Sequence, residues 1–459
     1  METVKPRNST VSGLFLISVM EIKPFKAFRF NKAVVGDVCK CIAPPYDVIS
    51  PAQQNQLYKK SKYNIIRITK GKPTPSDDSR SNPYTRAAQY LNTWLEEGAL
   101  KQDSTESIYA YIQDFELAGA QFKRLNFIAL AKLEELGPPG PVRPHEQTFN
   151  SQMLDRLNLK RATSADFGLV FMLYEDQKKI ADKIIENAAA QKPLLDCLDD
   201  QNVRHRLFAI TAKNDISTIT KIMNDKTCII ADGHHRYTTG LIYSKENSNP
   251  AAKYQMLAFA NTRQDGLLVL ASHRLVGNLG NFCLKKLIAD LKEDFEITQL
   301  RFDSPDTKIQ DKQKMLAQMK AEYKKDRNVL GIYAANTFHV AVLKDKRAMD
   351  SVAPNTSAAW RSLDVAVLHK LVLEKLLGIG EKDLASDNPP ERVEYIKDTE
   401  NAIDESVEMV DKGQKQIAFF MNAPKIHQIQ MVADAGERLP QKSTYFYPKM
   451  YSGLTINKL

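Results

Sequence analysis

The decisive stretch of this chain reads Ile229-Ile230-Ala231-Asp232-Gly233-His234-His235-Arg236-Tyr237. The apolar run 227–231 predicts a buried strand, Asp232-Gly233 interrupts it, and His234 begins a predicted helix. Because the first amides of a helix have no partner within the helix, a strand–glycine–helix junction predicts an anion site. Two imidazoles, a guanidinium and a carboxylate on one turn suit a phosphate or a divalent metal ion better than a hydrophobic core.

The composition is that of an ordinary globular protein of two or three domains. The 459 residues are 43% hydrophobic and 26% charged, with a formal net charge of +9. This balance permits anionic ligands, but no dense basic run argues for nucleic acid. No window holds the roughly 20 apolar residues that a membrane helix needs. We therefore predict a cytoplasmic protein without a membrane partner.

The cysteines and the N-terminal residues also favour the cytoplasm. The five cysteines are scattered, and Cys39-Lys40-Cys41 has the wrong spacing for a zinc knuckle, so we expect reduced, buried thiols. Residues 1–19 superficially imitate a short signal peptide but lack a cleavage site. We expect them to be a non-native or disordered extension, with Met20 as the true start.

Alternating strand and helix patterns predict an α+β (mixed α/β) fold. A core domain is expected over residues 20–280, including a strand at 64–68 that carries Arg67 and a helix over residues 176–200. Lysine-rich helical patterns then predict a smaller α+β C-terminal domain over residues 281–459. Its aromatic tail is expected to dock back onto the body of the protein, since chain ends are usually polar.

Two rigid loops present further candidate residues. Pro44-Pro45 fixes the backbone before Asp47, and a Gly-Pro-Pro-Gly-Pro loop precedes His145-Glu146. His145 or Glu146 would serve as a general base or metal ligand, and Asp47 as a second carboxylate. The alternatives are an exposed, satisfied pair at 145–146 and an Asx-turn at Asp47.

A second group of basic residues is expected to contact the substrate or to support the residues that do. Its members are Arg67, Arg143, Arg156, His273 and Arg274. For Arg156, a solvated ion pair with Asp155 is an equally simple interpretation. No Walker, Gly-x-Ser-x-Gly, His-Glu-x-x-His or Gly-x-Gly-x-x-Gly motif is present.

Taken together in order, several short motifs resemble the domain-of-unknown-function family numbered 1015. The similarity covers nearly the whole chain from Met20. The motifs are Ala43-Pro44-Pro45-Tyr46-Asp47, Pro144-His145-Glu146, Asp155-Arg156-Leu157, Ala231-Asp232-Gly233-His234-His235-Arg236, His273-Arg274-Leu275 and Lys442-Ser443-Thr444-Tyr445-Phe446-Tyr447-Pro448-Lys449.

The Asp-Gly-His-His-Arg junction is also similar to the phosphate-binding signature of the ParB/sulfiredoxin-like superfamily. This resemblance implies a ParB/sulfiredoxin-like core domain that binds ATP or ADP with Mg²⁺. Gly233 to Arg236 would hold the phosphates, and Asp232 is the candidate Mg²⁺ ligand. Glu146 or Asp47 would accept a proton from a substrate hydroxyl. The first family tends to accompany serine-biosynthesis genes, which favours serine or a related hydroxylated metabolite.

Three functions remain open from the sequence. The leading hypothesis is a nucleotide-dependent phosphotransferase acting on a small hydroxylated metabolite, similar to a serine kinase. The second is a nucleotide-binding, DNA-associated regulatory protein like other ParB relatives, although no helix-turn-helix segment is evident. The third is a metal-dependent phosphodiesterase that uses His145, Glu146, His234 and His235 as ligands.

Overall fold

The computed structural model describes residues 20–147, 150–384 and 392–459 of the chain. These residues form two main β-sheets flanked by helices, so the fold is mixed α+β. The expected extension at residues 1–19 lies outside the described residues.

The first sheet has nine strands among the described residues and provides the frame for the candidate site. Pairing is antiparallel except where Cys228–Asp232 meets Val142–Pro144 and where Val170–Tyr174 meets Tyr254–Asn261. Across the sheet the order is Val142–Pro144, Cys228–Asp232, Val170–Tyr174, Tyr254–Asn261, Ala120–Lys132, Ile108–Leu117, Arg204–Ile210 and Leu195–Leu198, with Ile22–Lys23 also paired to Ala120–Lys132. The central strands are apolar and buried along their length, as expected for strands covered on both faces.

Helices accompany this sheet, and their ends follow local capping chemistry. Pro83–Glu96 begins at Asn82, whose side chain accepts the amide hydrogens of Tyr84 and Thr85. The helices of this part are Lys32–Val35, Pro51–Lys60, Ile66–Thr69, Pro83–Glu96, Asn150–Thr163, Ile180–Ala188, Lys213–Met223 and His234–Glu246.

Two secondary-structure predictions were wrong. The expected strand at 64–68 is the short helix Ile66–Thr69, because the Asn64 side chain accepts the Ile66 amide hydrogen at 3.0 Å and starts a turn. The helix expected over residues 176–200 spans only Ile180–Ala188, and the strand Leu195–Leu198 follows it. Pro193 lies between them and cannot continue a helix.

The second sheet is antiparallel throughout its six strands. Their order is Phe295–Arg301, Thr337–Leu343, Val329–Ala334, Ile417–Phe420, Ser272–Val276 and Val393–Lys397. The accompanying helices are Leu284–Leu291, Pro305–Lys324, Ala348–Val352, Ala358–Arg361, Asp364–Val367, the π-helical Leu368–Glu374, Glu381–Leu384, Ala402–Asp411 and Ile426–Asp434. Ser272–Val276 already belongs to this sheet, although it precedes residue 281; a domain boundary at 281 stays a prediction.

The C-terminal tail returns from the second sheet to the first part of the chain. Tyr445–Tyr447 pairs with Leu268–Leu270, and Asn457–Lys458 pairs with Ala165–Asp166. The fully buried Arg124 donates hydrogen bonds to the main-chain carbonyls of Tyr447 and Pro448. The tail is therefore held beside the first sheet by main-chain pairing and by a buried cation.

The expectation of reduced, buried thiols was wrong for three of the five cysteines. Cys39 and Cys197 form a disulfide, with their Cα atoms 5.4 Å apart. Cys41 and Cys228 are free and buried, whereas Cys283 is exposed. The pair is 158 residues apart in sequence, so no local spacing could indicate it. Among the described residues, no helix combines the length and apolarity needed to cross a bilayer.

Candidate functional site

The predicted junction lies where the strand Cys228–Asp232 meets the helix His234–Glu246. Gly233 between them has φ of 89°, a conformation that favours glycine. A Cβ atom at this position would lie 3.0 Å from Nε of Arg236, so a side chain here would also displace the guanidinium. No side chain caps the helix, and its first internal amide bond is that of Tyr237 to Gly233. The helix N-terminus is therefore available to an anion.

Asp232 lies between two cations at this junction. Its Oδ2 is 2.9 Å from Nη2 of Arg236, and its Oδ1 is 2.7 Å from Nζ of Lys449. Burial alone would raise the pKa of Asp232, but Lys449 and Arg236 outweigh it and hold the pKa well below the usual range. Burial would likewise lower the pKa of Lys449, which Asp232 and Asp47 raise above its ordinary value. Asp232 and Lys449 are thus charged at neutral pH.

His145 and His234 form a buried pair whose hydrogen bonds define their tautomers. Nδ1 of His145 donates to the Ile230 carbonyl at 2.5 Å, so its Nε2 accepts from the Thr444 hydroxyl at 2.9 Å. The His145 amide donates to Nε2 of His234 at 3.2 Å, which leaves the proton of His234 on Nδ1. Burial lowers the pKa of His145 to about 4 and that of His234 well below 6.5. Both rings are therefore neutral.

Glu146 lies beside this pair, with Oε2 4.0 Å from Nδ1 of His234. A third of its side-chain surface is exposed, and burial of the remainder raises its pKa. His235 also faces the cleft, and burial lowers its pKa against the opposing effect of Glu146 and Asp47. The raised pKa makes the Glu146 carboxylate a stronger proton acceptor than an exposed glutamate.

These groups surround a cleft of about 180 Å³. Of the predicted site residues, the structure brings together Asp47, Glu146 and residues 232–236 in the lining of the cleft. His145 does not line the cleft, but its main-chain amide donates a hydrogen bond to His234. Among the described residues, the lining also includes side chains that were not predicted as site residues: Tyr46, Gln147, Gln152, Ser272, Tyr395, Lys397, Lys442, Thr444, Tyr445 and Lys449.

The lysines missed from sequence come from distant parts of the chain. Lys397 ends the last strand of the second sheet, whereas Lys449 belongs to the tail. Their Nζ atoms lie 4.3 and 4.4 Å from the ring centroid of Tyr445. Burial, followed by Lys449, lowers the pKa of Lys397. For Lys442 and Lys449, the only signal in the sequence was the motif 442–449. The position of this motif in the cleft depends on how the tail docks.

Three of the predicted arginines lie outside the lining of the cleft. Arg67 donates to the Tyr58 carbonyl at 2.8 Å, and Nε of Arg143 is 3.7 Å from Asp434. The guanidinium carbon of Arg156 lies 3.9 Å from the ring centroid of Tyr46, a residue of the lining. Of the three, Arg156 alone reaches a side chain of the cleft.

His273 and Arg274 are buried in the second sheet and likewise do not line the cleft. Nδ1 of His273 accepts the Met421 amide hydrogen at 3.2 Å. Arg274 donates to the carbonyls of Gln441 and Lys442 at 3.4 and 3.3 Å. Arg274 therefore holds the segment that carries Lys442 into the cleft.

The donor atoms at this site do not favour the predicted metal ligands. Both oxygens of Asp232 are engaged by cations, and both ring nitrogens of His145 are hydrogen-bonded. No cluster of three or more His, Cys, Asp or Glu side chains suited to a metal occurs in residues 20–147, 150–384 and 392–459. Asp232 as the direct ligand of Mg²⁺ does not fit this geometry.

Comparison with solved structures gives distant similarities. A free serine kinase in complex with AMP is 12% identical, with 70% of this chain and 86% of that chain covered and a TM-score of 0.34. SbnI from Staphylococcus aureus, with a C-terminal truncation, is 8% identical, with 70% and 84% covered and a TM-score of 0.33. A conserved hypothetical protein from Pyrococcus furiosus is 12% identical, with 72% and 94% covered and a TM-score of 0.31.

The search of curated proteins found no match to this sequence. The similarity of the junction to the ParB/sulfiredoxin-like signature stays a prediction. The profile described as "Protein of unknown function (DUF1015)" matches residues 22–366, which is more than half of the chain. The chain therefore belongs to the DUF1015 family.

Proposed function

We propose that the cleft binds ATP or ADP through its phosphates and transfers a phosphoryl group to the hydroxyl of a small metabolite. The observation that carries this proposal is the uncapped N-terminus of His234–Glu246, which faces a cleft containing Arg236 and Lys449. Main-chain amides and charged side chains then converge on one anion.

The charges of the cleft suit a polyphosphate. Four cationic side chains face three carboxylates, namely Arg236, Lys397, Lys442 and Lys449 against Asp47, Glu146 and Asp232. Burial lowers the pKa of His234 and of the half-buried His235, so the two rings contribute hydrogen-bonding groups rather than charge. Phosphoryl transfer depends on positioning and on the neutralisation of oxygen charge, which this arrangement provides.

Glu146 is the proposed general base. The acceptor hydroxyl gives its proton to the Glu146 carboxylate while its oxygen forms a bond to the terminal phosphorus. The bond between that phosphorus and the bridging oxygen breaks, and Arg236 and Lys449 stabilise the charge on the departing nucleotide. Asp47 is the second candidate base. It is exposed in the cleft, and its charge acts on Lys449 and Lys397.

The test is to incubate the full chain with ATP or ADP, Mg²⁺ and small hydroxylated metabolites, including L-serine, and to search for a phosphorylated product by mass spectrometry. Arg236→Met should weaken nucleotide binding by at least about tenfold. Lys245→Met, at the other end of the same helix, is the matched control because its Nζ pairs with Glu135 at the surface. Glu146→Gln should retain nucleotide binding and lower kcat by about 10²-fold or more.

Two outcomes would contradict the proposal. Equal nucleotide affinity in Arg236→Met and Lys245→Met would remove the phosphate site from this junction. A wild-type protein that forms no product and instead binds DNA in a salt-sensitive manner would favour the ParB-like regulatory function.

A further inference from the structure

A second cavity of about 300 Å³ adjoins the cleft. It shares the side chains of Glu146 and His234 with the cleft, so the proposed base stands between the two spaces. Its other walls include Leu136, Pro144 and the polar side chains of Thr238 and Arg438. Its volume suits a small organic molecule.

Arg438 lines this cavity together with the Glu146 carboxylate but is not paired with it. Its hydrogen bonds go to the main-chain carbonyls of Gly436 and Glu437, at 3.4 and 3.3 Å. No carboxylate of the described residues forms an ion pair with it, and partial burial lowers its pKa. Withdrawing a guanidinium from water without a carboxylate is unfavourable, so the position is suited to a bound anion.

The main chain fixes Arg438 close to Glu146. The Trp360 indole donates to the Arg438 carbonyl at 3.0 Å, and the Leu439 amide donates to the His145 carbonyl at 2.9 Å. His145 directly precedes Glu146, so residues 438–439 run beside the loop that carries the base. The cation and the carboxylate are thereby held against the same cavity.

Thr238 supplies a third polar group. It lies one turn after His234 on the same helix, and residues four apart share a helix face. Its hydroxyl oxygen is buried and has no hydrogen-bond partner among the described residues. A buried hydroxyl without a partner is uncommon in folded proteins and is explained when a ligand completes its bonding.

We propose that this cavity binds the phosphoryl acceptor and that the acceptor is a small hydroxylated carboxylic acid. Its carboxylate pairs with Arg438, its hydroxyl faces Glu146, and Thr238 bonds a further polar group. The single guanidinium of this cavity suits a single carboxylate, whereas the several cations of the cleft suit a polyphosphate. This assignment rests on the proposed function, because it places the acceptor across Glu146 from the nucleotide.

The experiment measures acceptor binding to the full chain saturated with a non-hydrolysable ATP analogue. The probes are L-serine and glycerate, ethanolamine, which lacks the carboxylate, and L-alanine, which lacks the hydroxyl. The wild type should bind L-serine or glycerate more tightly than ethanolamine. Arg438→Met should weaken their binding at least about tenfold and leave the binding of ethanolamine unchanged. Arg438→Lys should recover part of the loss.

Arg347→Met is the matched control, because Arg347 is 85% exposed on the second part of the chain. Nucleotide affinity, measured separately, should be the same in all four proteins. Unchanged L-serine and glycerate binding in Arg438→Met, or no binding of either to the nucleotide-loaded wild type, would overturn the acceptor assignment while the nucleotide proposal stands. Failure of the wild type to bind the ATP analogue would instead contradict the proposed function itself.

Discussion

Nζ of Lys449 lies 2.7 Å from Oδ1 of Asp232, a residue 217 positions earlier in the chain. Both side chains are largely buried, with 12% and 16% of their surfaces exposed. Because Asp232 also pairs with Arg236, the tail contributes the second cation of a cluster that begins at the strand–helix junction. The C-terminal tail is therefore part of the proposed phosphate site.

Replacing Lys449 should weaken nucleotide binding. In Lys449→Met the cleft loses a cation, and Asp232 retains a charge that Arg236 alone must balance, so we expect affinity to fall by about 10- to 100-fold. Titration calorimetry with ATP and ADP measures the effect. Lys458→Met is the control, since Lys458 is exposed on the same tail. Equal affinities in the two variants would show that the tail lysine does not contribute to the site.

Removing Arg124 should loosen the tail. Its guanidinium donates to the carbonyls of Tyr447 and Pro448 and to Oε1 of Gln113, at 2.5 Å from Nη2 in the last case. Arg124→Met leaves these buried acceptors without a donor, so we expect a loss of stability on the order of 3 kcal/mol and faster proteolysis after residue 440. Lys123→Met, at an exposed position of the same strand, should behave like the wild type. A protected tail in Arg124→Met would refute this role.

Acidification from pH 6.5 to 4 should remove the stability that the neutral, buried His145 contributes. The pKa of His145 is about 4 in the fold, against 6.5 ordinarily, because burial penalises the charged ring. Between these values the unfolded chain binds a proton that folded His145 does not, so the free energy of unfolding falls as the pH decreases from 6.5 to 4. The full contribution is about 3 kcal/mol.

Thermal melting at pH 7, 6 and 5 measures this dependence. His145→Asn should reduce the dependence of the melting temperature on pH, whereas His427→Gln, at an exposed position, should leave it unchanged. A wild-type melting temperature that stays constant from pH 7 to 5 would contradict the neutral, buried state of His145.

The disulfide predicts a definite number of thiols. Thiol titration of the unfolded, unreduced chain should give three groups, namely Cys41, Cys228 and Cys283, and five after reduction. Because Cys39 and Cys197 are 158 residues apart, reduction should lower the free energy of unfolding by an amount on the order of 2–4 kcal/mol. The melting temperature should fall accordingly. Cys197→Ser should abolish the response to reductant. Five thiols before reduction would show that the bond does not form.

Sequence reasoning worked where neighbouring residues decide the outcome. The strand–glycine–helix junction at Cys228–Asp232 and His234–Glu246 follows from an apolar run ended by Asp-Gly. This pattern acts within a few residues, so the surrounding fold does not alter it. At Asn64 a side-chain hydrogen bond to the main chain produced a helix in a segment whose alternation favoured a strand.

Tertiary structure alone decided what completes the site. The sequence by itself determined the α+β class, the junction and the candidates Glu146 and Asp47. It could not place Lys449 on Asp232, Lys397 beside Tyr445 or Arg438 beside Glu146. Nor could it join Cys39 to Cys197. These contacts link residues that are far apart in the chain, and they exist because two sheets and the tail bury apolar surface against each other. Tertiary packing decides which distant residues come into contact, and local sequence propensities contain no information about these contacts.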